Sequence, residues 1–290
     1  MDAAYTDFKN IAILCHPDIP EGEKTAREII TLLERRGMHG VQGMLTDPSL
    51  QQDLQDGKFD LVITLGGDGT VLRAGHLCGP MDIPILAVNL GHFGFLIEVT
   101  REDIETALDN LAAGNFRIEN RMMLQACHWR AEDCLGTWEV VNEVVVSRGL
   151  IARPVHLAAL LDGDELATYV TDALIVATPT GSTAYAMAAG GPVLPPQLRN
   201  ILIVPVAPHL SLDRALVLSE GAEVSIEVLS THQAIASVDG QLHIDLENGD
   251  RVTVKASQHI LSFVRFQQPD YFYRNLVSLM DQNPSIGERK

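Results

Sequence analysis

The sequence has few cysteines and no long apolar run. Its 290 residues include 4 cysteines, which are scattered along the chain and form no C-x-x-C pair. We therefore expect reduced, packed thiols rather than a disulfide framework or a zinc site built on cysteine pairs. No apolar stretch approaches the ~20 residues that a membrane-spanning helix needs, so we expect no membrane association.

Basic residues are also scarce. The chain carries 21 Lys and Arg against 38 Asp and Glu, a formal net charge of −17. This charge repels the phosphates of nucleic acid and argues against general binding to it. An anionic ligand would have to be held locally, by backbone N–H groups, a few arginines and a divalent metal ion. The first residues include no basic segment leading into an apolar run, so we expect no signal peptide and a cytoplasmic location.

The composition is that of an ordinary globular protein. Hydrophobic residues make up 46% of the chain and charged residues 20%, which excludes a largely disordered protein. A chain of this length is expected to form about two domains.

The N-terminal part alternates between strand-like and helix-like segments. Apolar strands are predicted at residues 11–15, 61–65 and 84–88, and amphipathic helices at 23–36 and 101–113. This alternation predicts an open parallel α/β sheet with helices on both faces and with ligands at the carboxyl ends of the strands.

The pattern changes after residue 115. Residues 116–265 consist mainly of short β-type runs, separated by turn signals such as Asp162-Gly163 and Asp239-Gly240. The sequence therefore predicts an α/β domain, resembling a Rossmann fold, followed by a β-rich domain.

The strand predicted at residues 61–65 leads into the turn Gly66-Gly67-Asp68-Gly69-Thr70. Its glycines let a ligand approach the main chain closely. The helix predicted from Thr70 offers free N–H groups, which bind anions. Asp68 is the one functional side chain in this turn, and a carboxylate among N–H donors is suited to accept a proton. A tight turn with an N-capping Asp is an alternative explanation.

Two polar segments mark the β-rich part. Asn142-Glu143 lies between two valine runs, so at least one side chain faces a ligand, a partner or solvent. A bulge or an exposed edge would explain this pair equally well.

Residues 178–185, Thr-Pro-Thr-Gly-Ser-Thr-Ala-Tyr, place hydroxyl groups and a phenol on a turn that opens into a predicted helix. Such a turn suits the binding of ribose and phosphate.

Together these motifs resemble the NAD kinase family. Residues 66–70 are similar to the GGDGT signature, which NAD kinases share with diacylglycerol and sphingosine kinases and, in variant form, with phosphofructokinases. Residues 178–185 resemble the TPTGSTAY motif, which those other kinases lack. Residues 89–96 resemble a further NAD kinase segment, in which we expect His92 to be exposed rather than a ligand contact. The sequence departs from the family at Thr171-Asp172-Ala173, where Gly-Asp-Gly is common.

The resemblance implies a domain division, an activity and a set of site residues. Residues 266–290 would return to the first domain, giving 1–115 with 266–290 as one domain and 116–265 as the NAD-binding domain. The implied reaction is transfer of the ATP γ-phosphoryl group to the 2′-hydroxyl of the adenosine ribose of NAD, with Asp68 as general base. Nucleotide contacts are implied for Asp68, Gly69, Arg73, Asn142, Glu143, Arg153, Asp172, Thr183, Ala184, Tyr185, Ala186, Met187, Ala188 and Gln241. Arg73 as a solvated helix residue stays open as an alternative.

The resemblance also implies cofactors and partners. NAD and ATP would be the substrates, with polyphosphate left open as another donor. No His, Cys and carboxylate cluster has the spacing of a metal site, so Mg²⁺ or Mn²⁺ is expected on the nucleotide phosphates. A homodimer or homotetramer is implied, with sites completed across subunits. Two other functions stay open: a lipid kinase of the GGDGT group, and a non-catalytic pyridine-nucleotide sensor.

Overall fold

The structure is a computed structural model that describes residues 8–16, 19–91, 94–149, 153–209, 212–270, 272–274 and 276–277. The helices are α1 (Pro20–Glu34), α2 (Pro48–Gln55), α3 (Asp68–Cys78), α4 (Ile104–Ala112) and α5 (Tyr185–Ala188). The strands are β1 (Asn10–Cys15), β2 (His39–Met44), β3 (Leu61–Gly66), β4 (Ile85–Asn89), β5 (Val99–Thr100), β6 (Arg117–Arg130), β7 (Asp133–Val140), β8 (Glu143–Arg148), β9 (Val155–Leu161), β10 (Asp164–Thr171), β11 (Ala173–Ala177), β12 (Asn200–Val206), β13 (Leu216–Ser219), β14 (Val224–Val228), β15 (Ala234–Val238), β16 (Leu242–Leu246) and β17 (Arg251–Arg265).

The chain divides into two compact units. Unit 1 contains the residues up to Asn120 and those from Leu261 onward, and unit 2 contains the residues from Arg121 to Ile260. The chain therefore leaves unit 1 within β6 and returns to it within β17.

Unit 1 is an α/β domain built on a parallel sheet. Its strands have the order β2-β1-β3-β4, and Phe263 of β17 pairs with Ile85 of β4. Every residue of β3 and β4 is buried, as expected for strands covered on both faces. Apolar residues of α1 and α4, including Leu33 and Leu108, pack into the same core as β1 and β3. Helix α3 follows β3 directly and contacts both β3 and β4.

Unit 2 is β-rich and contains two antiparallel sheet regions. One has the order β10-β9-β14-β17, with the β6–β7 hairpin paired to β17; the other has the order β13-β12-β11-β8-β15-β16. Side chains from both, such as Leu157 and Leu174, are fully buried in one hydrophobic core. The predicted fold class, α/β followed by β-rich, is therefore confirmed.

The length of two strands differs from the prediction. The β-type runs were expected to be short, but β6 has 14 residues and β17 has 15. Both contain buried polar residues, which interrupt an apolar pattern. His128 Nε2 lies 2.9 Å from the Asp250 carboxylate, and Arg130 Nε lies 2.8 Å from it. The hydrogen bond from Arg130 holds the pKa of Asp250 well below its ordinary value, so the buried carboxylate stays charged.

Among the described helices, none is long and apolar enough to cross a membrane.

Candidate functional site

The glycine-rich turn lies at the carboxyl end of β3. Gly67 is the N-cap of α3 and Asp68 is its first residue, and no side chain caps this helix. The half-buried Asp68 carboxylate instead accepts hydrogen bonds from the backbone N–H of Phe95 at 2.9 Å and of Leu96 at 3.2 Å. The N-cap explanation for Asp68 is therefore wrong, because the carboxylate is oriented by a loop from elsewhere in unit 1.

The loop that orients Asp68 is itself held in place. A Cβ atom at Gly94 would overlap the Asp68 carboxylate, so only glycine allows this close approach. Buried Arg265 donates a hydrogen bond from Nη1 to the Leu96 carbonyl at 3.0 Å. Arg265 could not be predicted as a site residue, because it ends a β-type run that carries no sign of a loop contact. His92, expected to be exposed, and Phe93 lie outside the described residues.

Two further predicted contacts of unit 1 lie on α3. Gly69 and Arg73 are exposed. Arg73 Nη1 lies 3.2 Å from His16 Nε2, at the carboxyl end of β1. Arg73 is therefore held at the same sheet edge as the turn, where a phosphate would approach.

Asn142 and Glu143 lie at the junction of β7 and β8 rather than inside one strand. The buried Asp239 carboxylate accepts hydrogen bonds from three successive N–H groups, those of Val141 at 2.8 Å, Asn142 at 2.7 Å and Glu143 at 2.9 Å. The Asp239-Gly240 turn was predicted from the sequence, but this contact was not. The turn between β15 and β16 therefore fixes the main chain of the Asn142–Glu143 pair.

Glu143 is buried and incompletely hydrogen-bonded. Within the described residues, its Oε2 atom has no hydrogen-bond partner. Burial, with a smaller contribution from the charge of Asp239, raises the pKa of Glu143 to about 8, while a hydrogen bond from the Tyr185 backbone acts in the opposite direction. A buried carboxyl group with an unused oxygen and a raised pKa is typical of a binding or catalytic position.

The segment 178–185 packs directly against this pair. The Thr178 backbone N–H donates to the Asn142 carbonyl at 2.8 Å, and its hydroxyl donates to the Val141 carbonyl at 2.7 Å. A Cβ atom at Gly181 would overlap the Asn142 carbonyl. Asn142, Glu143 and the TPTGSTAY-like segment therefore form one continuous surface in unit 2.

Most hydroxyls of this segment have structural partners. Ser182 donates to the Pro179 carbonyl at 2.6 Å and Thr183 to the Thr180 carbonyl at 3.1 Å. Thr180 Oγ1, in contrast, is buried with no partner in the described structure. The helix expected after this turn, α5, has only 4 residues. Buried Ala186 faces the interior, and Ala184, Tyr185, Met187 and Ala188 have exposed or half-buried side chains.

The other predicted site residues of unit 2 lie apart or at its edge. Gln241 is exposed beside Asp239, and Arg153 is exposed at the start of a described segment. Asp172 pairs with Arg148 at 3.1 Å. Asp172 precedes β11, whereas Thr178 follows this strand. The 5 extended residues of β11 separate the two positions by roughly 17 Å. The structure therefore does not bring Asp172 next to Glu143 within this chain.

Each unit, taken by itself, thus has features of a small-molecule site. Unit 1 has a glycine turn with an oriented carboxylate at the carboxyl edge of a parallel sheet, and unit 2 has a buried carboxyl group beside a stretch of small residues. These features define a two-domain nucleotide-binding protein.

Known proteins of similar sequence show to which family of nucleotide-binding proteins the chain belongs. The sequence matches the family model described as ATP-NAD kinase N-terminal domain over residues 46–116 and the one described as ATP-NAD kinase C-terminal domain over residues 141–266. The NAD kinase of Chloroflexus aggregans is 39% identical over 275 residues, which cover 93% of this chain and 98% of the relative. The NAD kinase of Geobacter metallireducens is 37% identical over 272 residues, covering 91% and 96%. The chain belongs to the NAD kinase family.

Solved structures agree with this assignment. Yeast NADH kinase complexed with NADH has a TM-score of 0.84 and 26% identity, covering 97% of this chain and 90% of the yeast chain. An NAD kinase from Archaeoglobus fulgidus in complex with ATP has a TM-score of 0.75 and 25% identity, covering 93% and 98%. The family resemblance drawn from the sequence motifs is confirmed.

Proposed function

We propose that this chain transfers the γ-phosphoryl group of ATP to the 2′-hydroxyl of the adenosine ribose of NAD, giving NADP. Membership of the NAD kinase family supports this activity. The solved relatives are described as complexes with NADH and with ATP, which fits one nucleotide acceptor and one nucleotide donor. The observation that carries the proposal is the Asp68 carboxylate, oriented by two N–H groups within the glycine turn.

In this proposal Asp68 is the general base. The 2′-hydroxyl gives its proton to the Asp68 carboxylate as its oxygen forms a bond to the γ-phosphorus, and the bond between that phosphorus and the β–γ bridging oxygen breaks, releasing ADP. Phosphoryl transfer depends mainly on positioning and charge stabilisation. The N–H groups at the start of α3 and the guanidinium of Arg73 supply that stabilisation for the phosphates.

Unit 2 holds NAD in this proposal. Asn142 and Glu143 contact the ribose and the adenine, and residues 183–188 line the adenosine pocket. The raised pKa of Glu143 leaves much of this group protonated at neutral pH, so its carboxyl group can donate as well as accept a hydrogen bond. The unused Glu143 oxygen gains a partner when NAD binds.

In this proposal the divalent metal ion is bound by the nucleotide rather than by a metal site of the protein. Among the described residues, no three His, Cys, Asp or Glu side chains are grouped so that they could hold a metal ion. We propose that Mg²⁺ or Mn²⁺ is carried by the ATP phosphates, whose oxygens supply most of its ligands.

The remaining site residues fit a site shared between copies of the chain. Asp172 and its partner Arg148 lie at the end of β11 opposite to Thr178. We propose that Arg153 and Asp172 contact NAD bound to a neighbouring subunit of a homodimer or homotetramer, and that Gln241 contacts the nucleotide in its own subunit. Sedimentation of the purified protein tests the oligomeric state.

A cytoplasmic location remains part of the proposal and is tested by cell fractionation.

An assay with radiolabelled ATP tests the activity and its two alternatives. NAD and diacylglycerol are offered side by side, and labelled products are separated. We expect label in NADP and none in lipid. Labelled lipid would support the lipid kinase alternative, and NAD binding without any labelled product would support the sensor. Replacing ATP by polyphosphate in the same assay defines the donor range.

A further inference from the structure

The β6–β7 hairpin of unit 2 brings two cysteines together. Cys127 of β6 lies opposite Thr137 of β7, and Cys134 of β7 lies opposite Trp129 of β6. Residues two apart on a strand point to the same face, so Cys127 and Trp129 share one face of the hairpin. Cys134, opposite Trp129, points to that face as well. The two cysteines are therefore diagonal neighbours across the strand pair.

A single hydroxyl group contacts both sulfurs. The Thr137 hydroxyl donates a hydrogen bond to Cys127 Sγ at 3.5 Å, and its oxygen lies 3.6 Å from Cys134 Sγ. A hydroxyl has one proton to donate, so the Cys134 thiol is the donor in the second contact. The Gly136 carbonyl oxygen, also 3.6 Å from Cys134 Sγ, is another acceptor for the same proton. These contacts hold both thiols at one point of the hairpin surface.

The two cysteines of the hairpin are more exposed than the other two. Cys15 and Cys78 of unit 1 are buried, as expected from the sequence, whereas Cys127 is half-buried and Cys134 is exposed. The expectation of packed thiols is therefore wrong for Cys134. Burial raises the pKa of Cys15 to about 11 and also raises the pKa of Cys78, so both stay neutral thiols of low reactivity. A dissolved oxidant therefore meets the hairpin pair first.

The hairpin can close the remaining distance between the two cysteines. A disulfide needs the two Cβ atoms within about 4 Å, whereas diagonal neighbours across a strand pair lie roughly 7 Å apart. The register of the ladder shifts between His128 and Trp129, at the level of the two cysteines. Among the described strands, β7 pairs only with β6. A small shift of the start of β7 therefore breaks few hydrogen bonds.

We propose that Cys127 and Cys134 are a redox site that forms a reversible disulfide with a hydroperoxide as the oxidant. The Cys134 sulfur bonds to one peroxide oxygen, the O–O bond breaks, and the thiol proton leaves with the other oxygen as water, which gives a sulfenic acid. The Cys127 sulfur then bonds to the Cys134 sulfur, and the S–O bond breaks. The departing hydroxide takes the Cys127 proton and becomes a second water. The two thiols lose two electrons, which the peroxide gains.

Thr137 is the positioning residue of this site. Its hydroxyl donates to Cys127 Sγ, so it holds the attacking sulfur beside Cys134 and stabilises the negative charge that develops there as the proton leaves. The proposal does not depend on the kinase reaction, because neither cysteine is among the predicted nucleotide contacts.

Trypsin allows a direct test. It cleaves after Arg130, which lies between the two cysteines, so Cys127 and Cys134 fall in different peptides. The native protein is treated with equimolar hydrogen peroxide, free thiols are blocked with N-ethylmaleimide, and the digest is analysed by mass spectrometry. We expect the two peptides to be joined, and to separate after reduction with dithiothreitol. The protein should run as a single chain on a non-reducing denaturing gel. A sample blocked before peroxide is added should show no joined peptides.

Variants test the roles of the individual side chains. Cys134→Ser should give no joined peptides. Thr137→Val should slow disulfide formation about fivefold, because the hydrogen bond to Cys127 is lost. Thr168→Val is the matched control and should leave the rate unchanged, since Thr168 is also an exposed threonine on a strand of unit 2 and donates one hydrogen bond to a side chain. Circular dichroism verifies that each variant is folded.

The wild type alone is sufficient to overturn the inference. It would be wrong if equimolar peroxide gave no joined peptides, if Cys134 were oxidised to a sulfinic acid while Cys127 stayed a thiol, or if the only disulfide joined two chains. Equal rates in Thr137→Val and wild type would overturn the role of Thr137. A failure of NADP formation would contradict the proposed function and would leave this result unchanged.

Discussion

Both units place a carboxyl group beside the end of a buried strand, but the two groups have opposite surroundings. Asp68 in unit 1 is half-buried and accepts two backbone hydrogen bonds. Glu143 in unit 2 is buried, has an oxygen without a partner and has a pKa raised to about 8. The two positions therefore suit different tasks: an oriented anion can take a proton, and a desolvated carboxyl group can bind a ligand in its neutral form.

The largest expected effect comes from removing the carboxylate of unit 1. Asp68→Asn keeps the shape of the side chain but cannot accept a proton, so turnover should fall at least about a hundredfold while the KM for NAD stays near normal. Steady-state NADP formation measures both constants. Asp82→Asn, an exposed change in the same unit, is the control. If NAD binding were lost together with turnover, Asp68 would be a binding residue and the base would lie elsewhere.

The next effect concerns the support of Glu143 in unit 2. Asp239→Ala leaves three N–H groups without their acceptor, which should lower the free energy of unfolding by about 2 kcal/mol more than the control. Asp162→Ala is the matched control, because Asp162 also lies in an Asp-Gly turn and has a similar backbone angle, φ 53° against 49° for Asp239. Unlike Asp239, Asp162 is exposed and accepts one backbone hydrogen bond, from the N–H of Glu223. Urea unfolding compares the two. Equal losses would mean that the buried bonds add nothing beyond the turn itself.

Two glycines, Gly94 in unit 1 and Gly181 in unit 2, lie against atoms of the two candidate sites. Gly94→Ala should displace the Asp68 carboxylate and lower kcat about tenfold, whereas Gly181→Ala should displace the Asn142 carbonyl and raise the KM for NAD by about the same factor. Gly221→Ala, where an added Cβ meets no atom within 4 Å, is the control. If both variants changed the same kinetic constant, the division of tasks between the units would be wrong.

The last prediction concerns the pH dependence of the free energy of unfolding. The folded-state pKa of Glu143, about 8, lies above its ordinary value of 4.5. Between pH 4.5 and 8 the folded chain therefore keeps a proton on Glu143 that the unfolded chain has lost. Stability from this group is complete below about pH 4.5 and is lost as the pH rises towards 8, by up to about 1.4 kcal/mol per pH unit. Glu143→Gln should flatten this slope in urea unfolding between pH 5.5 and 7.5. Exposed Glu132→Gln should not.

The features that depend on neighbouring residues could be predicted from the sequence. The β3 strand, the glycine turn and α3 follow one another directly, so apolar runs and glycine spacing were sufficient to locate them. The same holds for the Asp-Gly turns, where Asp162 and Asp239 both have positive φ. The family motifs then identified Asp68, Asn142 and Glu143 as site residues, and their roles stay predictions.

The supports of the site were not predictable in this way, because they join distant parts of the chain. Asp239 binds the N–H of Val141 across 98 residues, and Arg265 binds the Leu96 carbonyl across 169. Neither contact leaves a local pattern. The length of β6 was missed for a related reason, since buried His128 looks like an interruption until its partner Asp250 is known.

The hydrogen bond from Arg265 to Leu96 also bears on the order in which the protein is made. The segment that orients Asp68 belongs to the first third of the polypeptide, but Arg265 and Phe263 are translated only near its end. A nascent chain on the ribosome therefore carries the whole glycine turn long before the turn has its final support. Fragments released before β17 is synthesised should therefore be inactive even though they contain Asp68.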